Sequence, residues 1–414
     1  METQVILTMK ENKRVVVMQE VIGGRKTMVE AVAQLGINER QGWRILSRVR
    51  KQGAQGAMHG NRGRKSLCKI ADKIRQRILA LRNKEYAGFN DRHFTQELQS
   101  SGKSVPGRET IRKILREAGI GPTRPVKKRT HRLRRTPKER FGEMLQGDSS
   151  PHDWLEGRGP KMDLVHFVDD ATGIEWADFF ESETTKAYLT VMMELLKQEG
   201  IPRSLYVDKH VVFRVNRDQT IEEELSGKRP LTTFGRAMGE LGIRIIYADS
   251  AQAKGRVERR GGLNQDRLVS ELRRAKAKTL EEARVVLKEH LRKNNPRFQK
   301  APANPESAFI PLPPAFDLEQ VLCWKEERTV SNDNTISFNG HRYQIPKSSM
   351  RATWAKCKVA VHLCLDGSLH VFYKRERIAY FKQSGIDWNK LSISPITTEA
   401  LRAHSPNLTF SLGH

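Results

Sequence analysis

A chain of 414 residues with 37% hydrophobic residues has room for several small cores, and 74 Lys+Arg against 48 Asp+Glu give it a net charge of +26. Such an excess points to a polyanionic partner, nucleic acid before an anionic membrane surface. No run of 18 apolar residues is present to span a bilayer, and the opening METQVILTMKENKR lacks the basic stretch and apolar core of a signal peptide. Cys68, Cys323, Cys357 and Cys364 are scattered with no CxxC pair, which fits reduced thiols in a cytosolic protein better than a zinc site or a disulfide frame.

The charge is uneven. Residues 1–140 hold 34 Lys+Arg and 12 Asp+Glu, a net +22, so the remainder is nearly neutral. In "TMVEAVAQLGINERQGWRILSRVRKQG", apolar residues at Val29, Val32, Ala33, Ile37, Trp43, Ile45 and Leu46 follow helical spacing, which breaks at Leu35-Gly36-Ile37. Gly36 suits the turn, and Asn38 caps a second helix from Glu39 to about Lys51. Helix, tight turn, helix is the helix-turn-helix pattern, and its second helix would offer Arg40, Gln41, Arg44, Ser47 and Arg48 to a DNA groove. Most short helical hairpins merely pack; the surrounding charge favours the DNA reading. "NRGRKS", with Arg62 and Arg64, is a basic hinge. A second helical unit follows, with Ile74, Ile78 and Leu81 on one helix, Phe94 and Leu98 on another, and Ile111, Ile114 and Leu115 on a third that offers Arg108 and Arg112.

Cation density peaks in "RPVKKRTHRLRRTPKER", Arg124 to Arg140, with nine basic residues and one acid, and Pro125 and Pro137 argue against one continuous helix. A lone basic run is ordinarily a solvated linker. Between domains of so basic a chain, Lys127, Lys128, Arg129, Arg132, Arg134 and Arg135 suit the DNA backbone.

The period then changes. "MLQGDSS", "DLVHFVDD" and "GIEWADFF" read as strands, the last two joined by a hairpin turn at Asp170 to Gly173 with Asp169 and Asp170 as turn acids. The segment "TTKAYLTVMMELLKQEG" reads as an amphipathic helix, "RSLYVDKH" as a buried strand, "TTFGRAMGELG" as a helix and "IRIIYADS" as a strand. A final helix through "AQAKGRVERRGGLNQDRLVSEL" is interrupted at Gly261-Gly262. The order βββαβαβα, three antiparallel strands followed by αβαβα, is that of a ribonuclease-H-like domain. Asp148 ends the first strand and Asp208 the fourth; these two strands are parallel neighbours in that order, and Glu258 lies on a helix that can cross the same edge. Asp148, Asp208 and Glu258 thus form a candidate triad of hard oxygen donors suited to Mg²⁺. Two such ions activate a water or a 3′-hydroxyl and stabilise the leaving 3′-oxygen in an in-line phosphodiester displacement, with Mn²⁺ as a substitute. His152 is a packing residue or a supporting group; Lys254 contacts a phosphate or pairs with Glu258; Arg256 adds to the cationic frame. Asp249 is the competing third acid, more suited to a turn. Asp218 is a polar loop acid.

These stretches resemble the DDE transposases of bacterial insertion sequences, close to the ISNCY group and the wider integrase catalytic core superfamily. "SPHDW", "DDATG" and "AQAKGRVER" are the strongest anchors. The resemblance covers nearly the whole chain and places the triad on Asp148, Asp208 and Glu258. It implies nicking at element ends and transfer of the 3′-OH into target DNA. Asp148-Ser149-Ser150-Pro151-His152 departs from the family's usual Asp-Gly-Ser-Pro-His, Ala251 stands where relatives often have Pro, and "RRGGLNQDR" is less regular; none removes a carboxylate. Joining two ends to one target requires two active sites, so at least a dimer is expected on paired ends.

After a helix with a Thr279/Glu282 capping box and a Pro-rich linker, alternating strands around Asn339-Gly340 and Asp366-Gly367 predict a small β-barrel that binds DNA or a second protomer. The expected organisation is a multidomain chain. It comprises all-α helix-turn-helix units at 1–60 and 67–122, a basic linker at 123–140 and an α/β ribonuclease-H-like core at 141–300. A linker at 301–316, a barrel at 317–385 and a flexible tail at 386–414 complete it. The expected setting is the bacterial cytoplasm, at the nucleoid, with double-stranded DNA (element ends and target) as the partner and no membrane. Two other classes fit less well: a DNA-binding regulator with an inactive core, and a structure-specific nuclease on the same fold.

Overall fold

The computed structural model describes residues 7–62, 70–101, 105–123, 135–216, 230–248, 255–314, 316–382, 385, 386, 388 and 391. The chain divides into two compact units, Met1–Gln76 and Arg77–His414.

The first unit holds α1 (Met9–Ile22), α2 (Met28–Leu35) and α3 (Glu39–Gln52), then a short 3₁₀ turn, Gly53–Ala57. The sequence reading did not foresee α1; a capping box between Thr8 and Glu11 starts it. Gly36 at φ 66° makes the tight turn, and the Asn38 side chain accepts the Gln41 N–H at 2.9 Å, both as expected. Val15, Met18, Val32, Ile45, Leu46 and Val49 form the core. Val29 and Trp43, placed among the apolar periodic positions, face outward instead at 63% and 54% exposure.

Helix α4 (Asp72–Lys84) spans the boundary between the units, and α5 (Asp91–Ser100) and α6 (Arg108–Glu117) follow. The next elements are β1 (Leu145–His152), β2 (Met162–Asp169), β3 (Glu175–Phe180), α7 (Thr185–Glu199), β4 (Ser204–Val207), α8 (Thr233–Glu240), β5 (Arg244–Tyr247), α9 (Gly255–Arg274) and α10 (Leu280–Phe298). The sheet order is β3-β2-β1-β4-β5, with β1 antiparallel to β2 and parallel to β4. This is the predicted ribonuclease-H-like order. The sheet is covered on both faces, which explains the near-continuous apolar run of β2. Val165 and Phe167 pack toward α7 residues such as Tyr188 and Met192. Met162 and Leu164 pack toward Leu268 and Leu272 of α9 and Leu287 of α10.

Helix α5 lies along α9. Gln96 meets Arg267 at 2.9 Å, Glu97 meets Arg274 at 2.8 Å, and the buried His93 meets Glu271 at 3.0 Å. Much of the Pro-rich segment is strapped to the core: the Ala308 N–H donates to the Phe141 carbonyl at 2.7 Å, and Phe309 packs edge-on against Phe141.

The C-terminal strands follow α11 (Leu318–Val321). They are β6 (Trp324–Thr329), β7 (Thr335–Phe338), β8 (His341–Gln344), β9 (Lys358–Leu363), β10 (Leu369–Tyr373) and β11 (Glu376–Phe381). Where a closed barrel was expected, the described residues form an open four-stranded antiparallel sheet, β11-β10-β9-β6, and a separate β7-β8 ribbon. Strands β6 and β11 are its two edges, and no ladder joins them among the described residues. Trp388, counted with the tail, is buried beside Trp324; the rest of that tail lies almost wholly outside the described residues. The cysteines described, Cys323, Cys357 and Cys364, are free thiols. Among the described residues no helix is long and apolar enough to cross a membrane.

One buried carboxylate joins the layers. Glu175 on β3 accepts from Arg260 Nε and Asn264 Nδ2 of α9, each at 2.7 Å, and lies 2.7 Å from His166 Nδ1 of β2. Asn295 of α10 bonds both its backbone N–H and its carbonyl. Burial pushes the Glu175 carboxyl up, but His166 and Arg260 outweigh it and hold it at about 2, against an ordinary 4.5. A depressed carboxyl stabilises the fold above its unfolded value, so this contribution is complete above pH 4.5 and is lost as the pH falls toward about 2. Glu175→Gln leaves Arg260 uncompensated and is expected to cost about 3–5 kcal/mol. Calorimetric unfolding at pH 7 checks it: a melting temperature equal to that of the unaltered protein refutes the clamp.

Candidate active site

Asp148 lies in the middle of β1, opposite His166 of β2, not at a strand end as expected. The strand continues to His152 because its pairing with β2 does. The parallel partner is shorter: Leu145 pairs with Leu205 and Gln146 with Tyr206, and β4 stops at Val207. Carrying that register two residues on sets Asp148 beside Asp208. The paired aspartates therefore mark where the β1-β4 ladder ends. The Asp208 carboxylate accepts the His210 N–H at 3.0 Å, which folds the chain back just after the strand.

The face of β1 that carries Asp148 also carries Gln146 and Ser150, by the two-residue alternation of a strand. Both hold α9: Gln146 Oε1 accepts the Val257 N–H at 3.2 Å, and Ser150 Oγ accepts from Gln265 Nε2 at 3.1 Å. Helix α9 thus runs alongside the strand, with Asp148 between the two contacts. It is continuous through Gly261-Gly262, where an interruption was expected. Gly261 is buried where a Cβ would make an ordinary contact, 3.7 Å from the His166 ring, across the ladder from Asp148. Around α9, Arg260 reaches β3, Gly261 faces β2 and Gln265 reaches β1. Glu258 shares the i, i+4, i+7 stripe of Gly262 and Gln265, so it falls on the side nearest β1 and β4. It is exposed in the first turn of the helix.

Sequence reasoning missed a group beside this pair. Glu183, just before α7, accepts from the Tyr188 hydroxyl at 2.7 Å and lies 3.4 Å from His210 Nδ1. Burial pushes its carboxyl up, Tyr188 and His210 oppose the shift, and the charges of Asp208 and Asp148 raise it further. Tyr188 is raised well above its usual value by burial and by the same three carboxylates. Nothing in "FFESETTK" distinguishes Glu183 from its acidic neighbour Glu181. Among the described residues no three His, Cys, Asp or Glu side chains converge closely enough to hold a metal ion. The donor chemistry nevertheless suits a hard divalent cation: two carboxylates in register, with Glu183 raised by their charge.

The other predicted residues are scattered. Arg40, Gln41, Arg44 and Ser47 are exposed on α3, with Arg48 half-buried beside them. Arg108 is exposed at the start of α6; Arg112 pairs with Glu109 at 2.5 Å and Arg62 with Glu11 at 2.6 Å. Arg135 and Arg256 both pair with Asp170. That buried acid also accepts from Gln146 at 2.6 Å, so it organises the core instead of merely lining a turn. Asp169 is likewise buried and accepts the Gly142 and Thr172 N–H groups. His152 is exposed at the far end of β1, edge-on to Trp154. Arg64, Lys127, Lys128, Arg129, Arg132, Arg134, Asp218, Asp249 and Lys254 lie outside the described residues.

Taken together, the fold and site define a mixed α/β core whose central strands present paired aspartates beneath a helix bearing a glutamate. The chain is 34% identical over 380 residues to "Putative transposase y4bF" of Sinorhizobium fredii, covering 91% of this chain and 81% of that protein. It is 30% identical over 406 residues to "Transposase for insertion sequence IS1202" of Streptococcus pneumoniae, covering 88% and 84% respectively. The chain belongs to the bacterial insertion-sequence transposases, which bears out the resemblance to the DDE group read from its sequence. No protein-family model matches it. Among solved structures, the HTLV-2 integrase catalytic core domain in complex with magnesium is 18% identical, with a TM-score of 0.27 over 36% of this chain and 84% of that one. The simian T-cell lymphotropic virus intasome in complex with PP2A regulatory subunit B56 gamma is 16% identical, with a TM-score of 0.31 over 69% and 91%. Likenesses this slight carry no further argument.

Two glycines test the packing around Asp148. A Cβ on Gly147 would stand 2.8 Å from the Phe167 ring and 3.2 Å from Val207, whereas one on Gly262 meets nothing within 4 Å. Gly147→Ala is expected to cost about 1–3 kcal/mol, and Gly262→Ala to gain up to about 1 kcal/mol. Denaturant titration of both variants checks this, and equal midpoints would contradict the packing described.

Proposed function

We propose that the protein is a DDE transposase that binds the terminal repeats of its insertion sequence, nicks the ends and joins the 3′-OH to target DNA. The observation that supports this reading is the parallel β1-β4 ladder, whose register carried two residues on pairs Asp148 with Asp208, together with the contacts of α9, the helix of Glu258, to β1. Asp148, Asp208 and Glu258 are the residues that would hold Mg²⁺. When bound, the ions supply activation of the attacking water or 3′-hydroxyl and stabilisation of the leaving 3′-oxygen, two ions sharing those tasks. Asp148 and Asp208 stand on the ends of a hydrogen-bonded ladder, so their separation is fixed before substrate arrives. Glu258, exposed in the first turn of α9, would supply the third carboxylate.

In this reading α3 enters a groove of the end DNA. Arg40 and Arg44 supply contacts to phosphate or base edges, and α6 supplies a second helix through Arg108. At least two protomers act on paired ends, since each strand transfer needs its own active site.

Two experiments test the proposal. Asp148→Asn, Asp208→Asn and Glu258→Gln are each expected to keep end binding and to lose Mg²⁺-dependent nicking by on the order of a thousandfold. Asp249→Asn is expected to keep substantial activity. Cleavage of labelled end DNA decides, and an inactive Asp249→Asn beside an active Glu258→Gln would be fatal to the assignment. For binding, affinity is expected to fall steeply with salt as condensed cations are released. Arg40→Ala and Arg44→Ala should each reduce the slope of log affinity against log salt by about 1 if they neutralise a phosphate. Unchanged slopes and affinities would remove α3 from the interface.

A further inference from the structure

The paired aspartates have a neighbour that the triad does not use. Glu183 sits at the turn from β3 into α7, its side chain about a quarter exposed (26%). Its Oε1 accepts a hydrogen bond from the hydroxyl of Tyr188, which is buried to 1% exposure, and stands at ion-pair distance, 3.4 Å, from His210 Nδ1 without a hydrogen bond between them. The same His210 donates its backbone N–H to Asp208. A chain of contacts therefore runs from the buried Tyr188 through Glu183 and the His210 ring to the backbone that orients the Asp208 carboxylate. Every link is local except the one between Glu183 and His210, which joins the β3-α7 turn to the segment after β4.

Packing alone does not require an acid here. A neutral acceptor would satisfy the Tyr188 hydroxyl as well, yet the chain places a third carboxylate within the electrostatic reach of Asp148 and Asp208. Like charges gathered on rigid elements are costly when alone and favourable once a divalent cation shares them.

We propose that Glu183 is a positioning residue for the Asp148-Asp208 pair, fixing the Asp208 carboxylate through His210 for cation binding. This rests on the reading of Asp148 and Asp208 as cation ligands. Glu183 acts from outside the ligand set, in the way that outer hydrogen-bond partners hold metal-binding side chains in orientation.

The test is Mn²⁺ binding to the full-length protein without DNA, followed by the electron paramagnetic resonance of the free ion, in parallel with Mn²⁺-dependent nicking. Glu183→Gln is expected to weaken Mn²⁺ binding about tenfold or more, the usual effect of losing an outer partner. Nicking should fall at low Mn²⁺ and recover substantially at saturating Mn²⁺; a merely structural defect would lower it at every concentration. Glu183→Asp should recover part of the affinity. Tyr188→Phe, which frees Glu183 from its buried anchor, should give a smaller loss. If Glu183→Gln does not fold by circular dichroism, His210→Ala breaks the same chain on a partly exposed side chain and is expected to weaken Mn²⁺ binding similarly. Asp208→Asn separates the two levels of the argument. Loss of binding in Asp208→Asn with wild-type binding in Glu183→Gln, or in His210→Ala where that replaces it, overturns this inference alone. Wild-type binding in Asp208→Asn overturns the cation site and this inference with it.

Discussion

A carboxylate sealed from water is unfavourable unless its partners are fixed, and Glu175 turns that condition into architecture. It lies on β3 but takes its bonds from β2 through His166 and from α9 through Arg260 and Asn264. Because Arg260 and Asn264 lie four residues apart on one stripe of α9, satisfying the charge fixes the roll of that helix as well as its place. Asn264 passes the constraint on. Its carbonyl lies 3.3 Å from His290, which lies 3.0 Å from Glu271, and Glu271 in turn lies 3.0 Å from His93 on α5. Burial would raise the Glu271 carboxyl, but His290 and His93 hold it well below the ordinary range. A continuous polar chain thus runs inside an apolar shell from the strand opposite Asp148 to the second helical unit. An apolar seam would stabilise α9 as well, but it would tolerate sliding by a turn; paired charges do not.

In the proposed site that constraint would bring two kinds of support together. Asp148 and Asp208 are placed by backbone ladders, which specify position through register. Glu258 is placed by the roll of α9, which depends on side chains up to 13 residues further along the helix. The same helix receives α5 along its second half. Within the second unit, α5 and the helix that carries Glu258 are therefore packed together, with no flexible joint needed between α5 and α9.

Much of this was legible in the sequence, for identifiable reasons. The strand order, with β1 parallel to β4, followed from a change of period and from short apolar runs, although β1 runs on past Asp148 to His152. The Asn38 cap, the Gly36 turn and the Asn339-Gly340 hairpin are set by local chemistry, and each appears where that chemistry requires it. What escaped depends on partners distant in sequence. Asp170 looks like a turn acid until Arg135, Gln146 and Arg256 gather on it. Gly261-Gly262 looks like a helix break until the bonds of α9 to the sheet on either side, from Arg260 and Gln265, carry the helix through it. Trp43 fits an apolar period but points outward, because α1, which no motif announced, already fills that core with Val15 and Met18. The expected small β-barrel is not seen closed among the described residues for a related reason: alternation gives strands and hairpins but not closure, which needs a register between first and last strands.

The distribution of charge follows the same division. The excess of cations lies in the first 140 residues, where described arginines such as Arg40 and Arg44 stand exposed. In the core the arginines turn inward. Arg236 bonds the Val321 carbonyl at 3.2 Å, Arg260 clamps Glu175, and Arg267 stacks 4.8 Å from the centre of the Phe298 ring. A guanidinium suits both tasks because it is weakly hydrated and presents several donors in a plane. Inside, it satisfies carbonyls and carboxylates that a sheet covered on both faces would otherwise leave unpaired. Outside, the same fork matches phosphate oxygens. The near-neutral balance of the core is thus compatible with a large arginine content, since its cations are matched by buried acids. The charge that remains to attract a polyanion is concentrated in the 140 residues that precede the core.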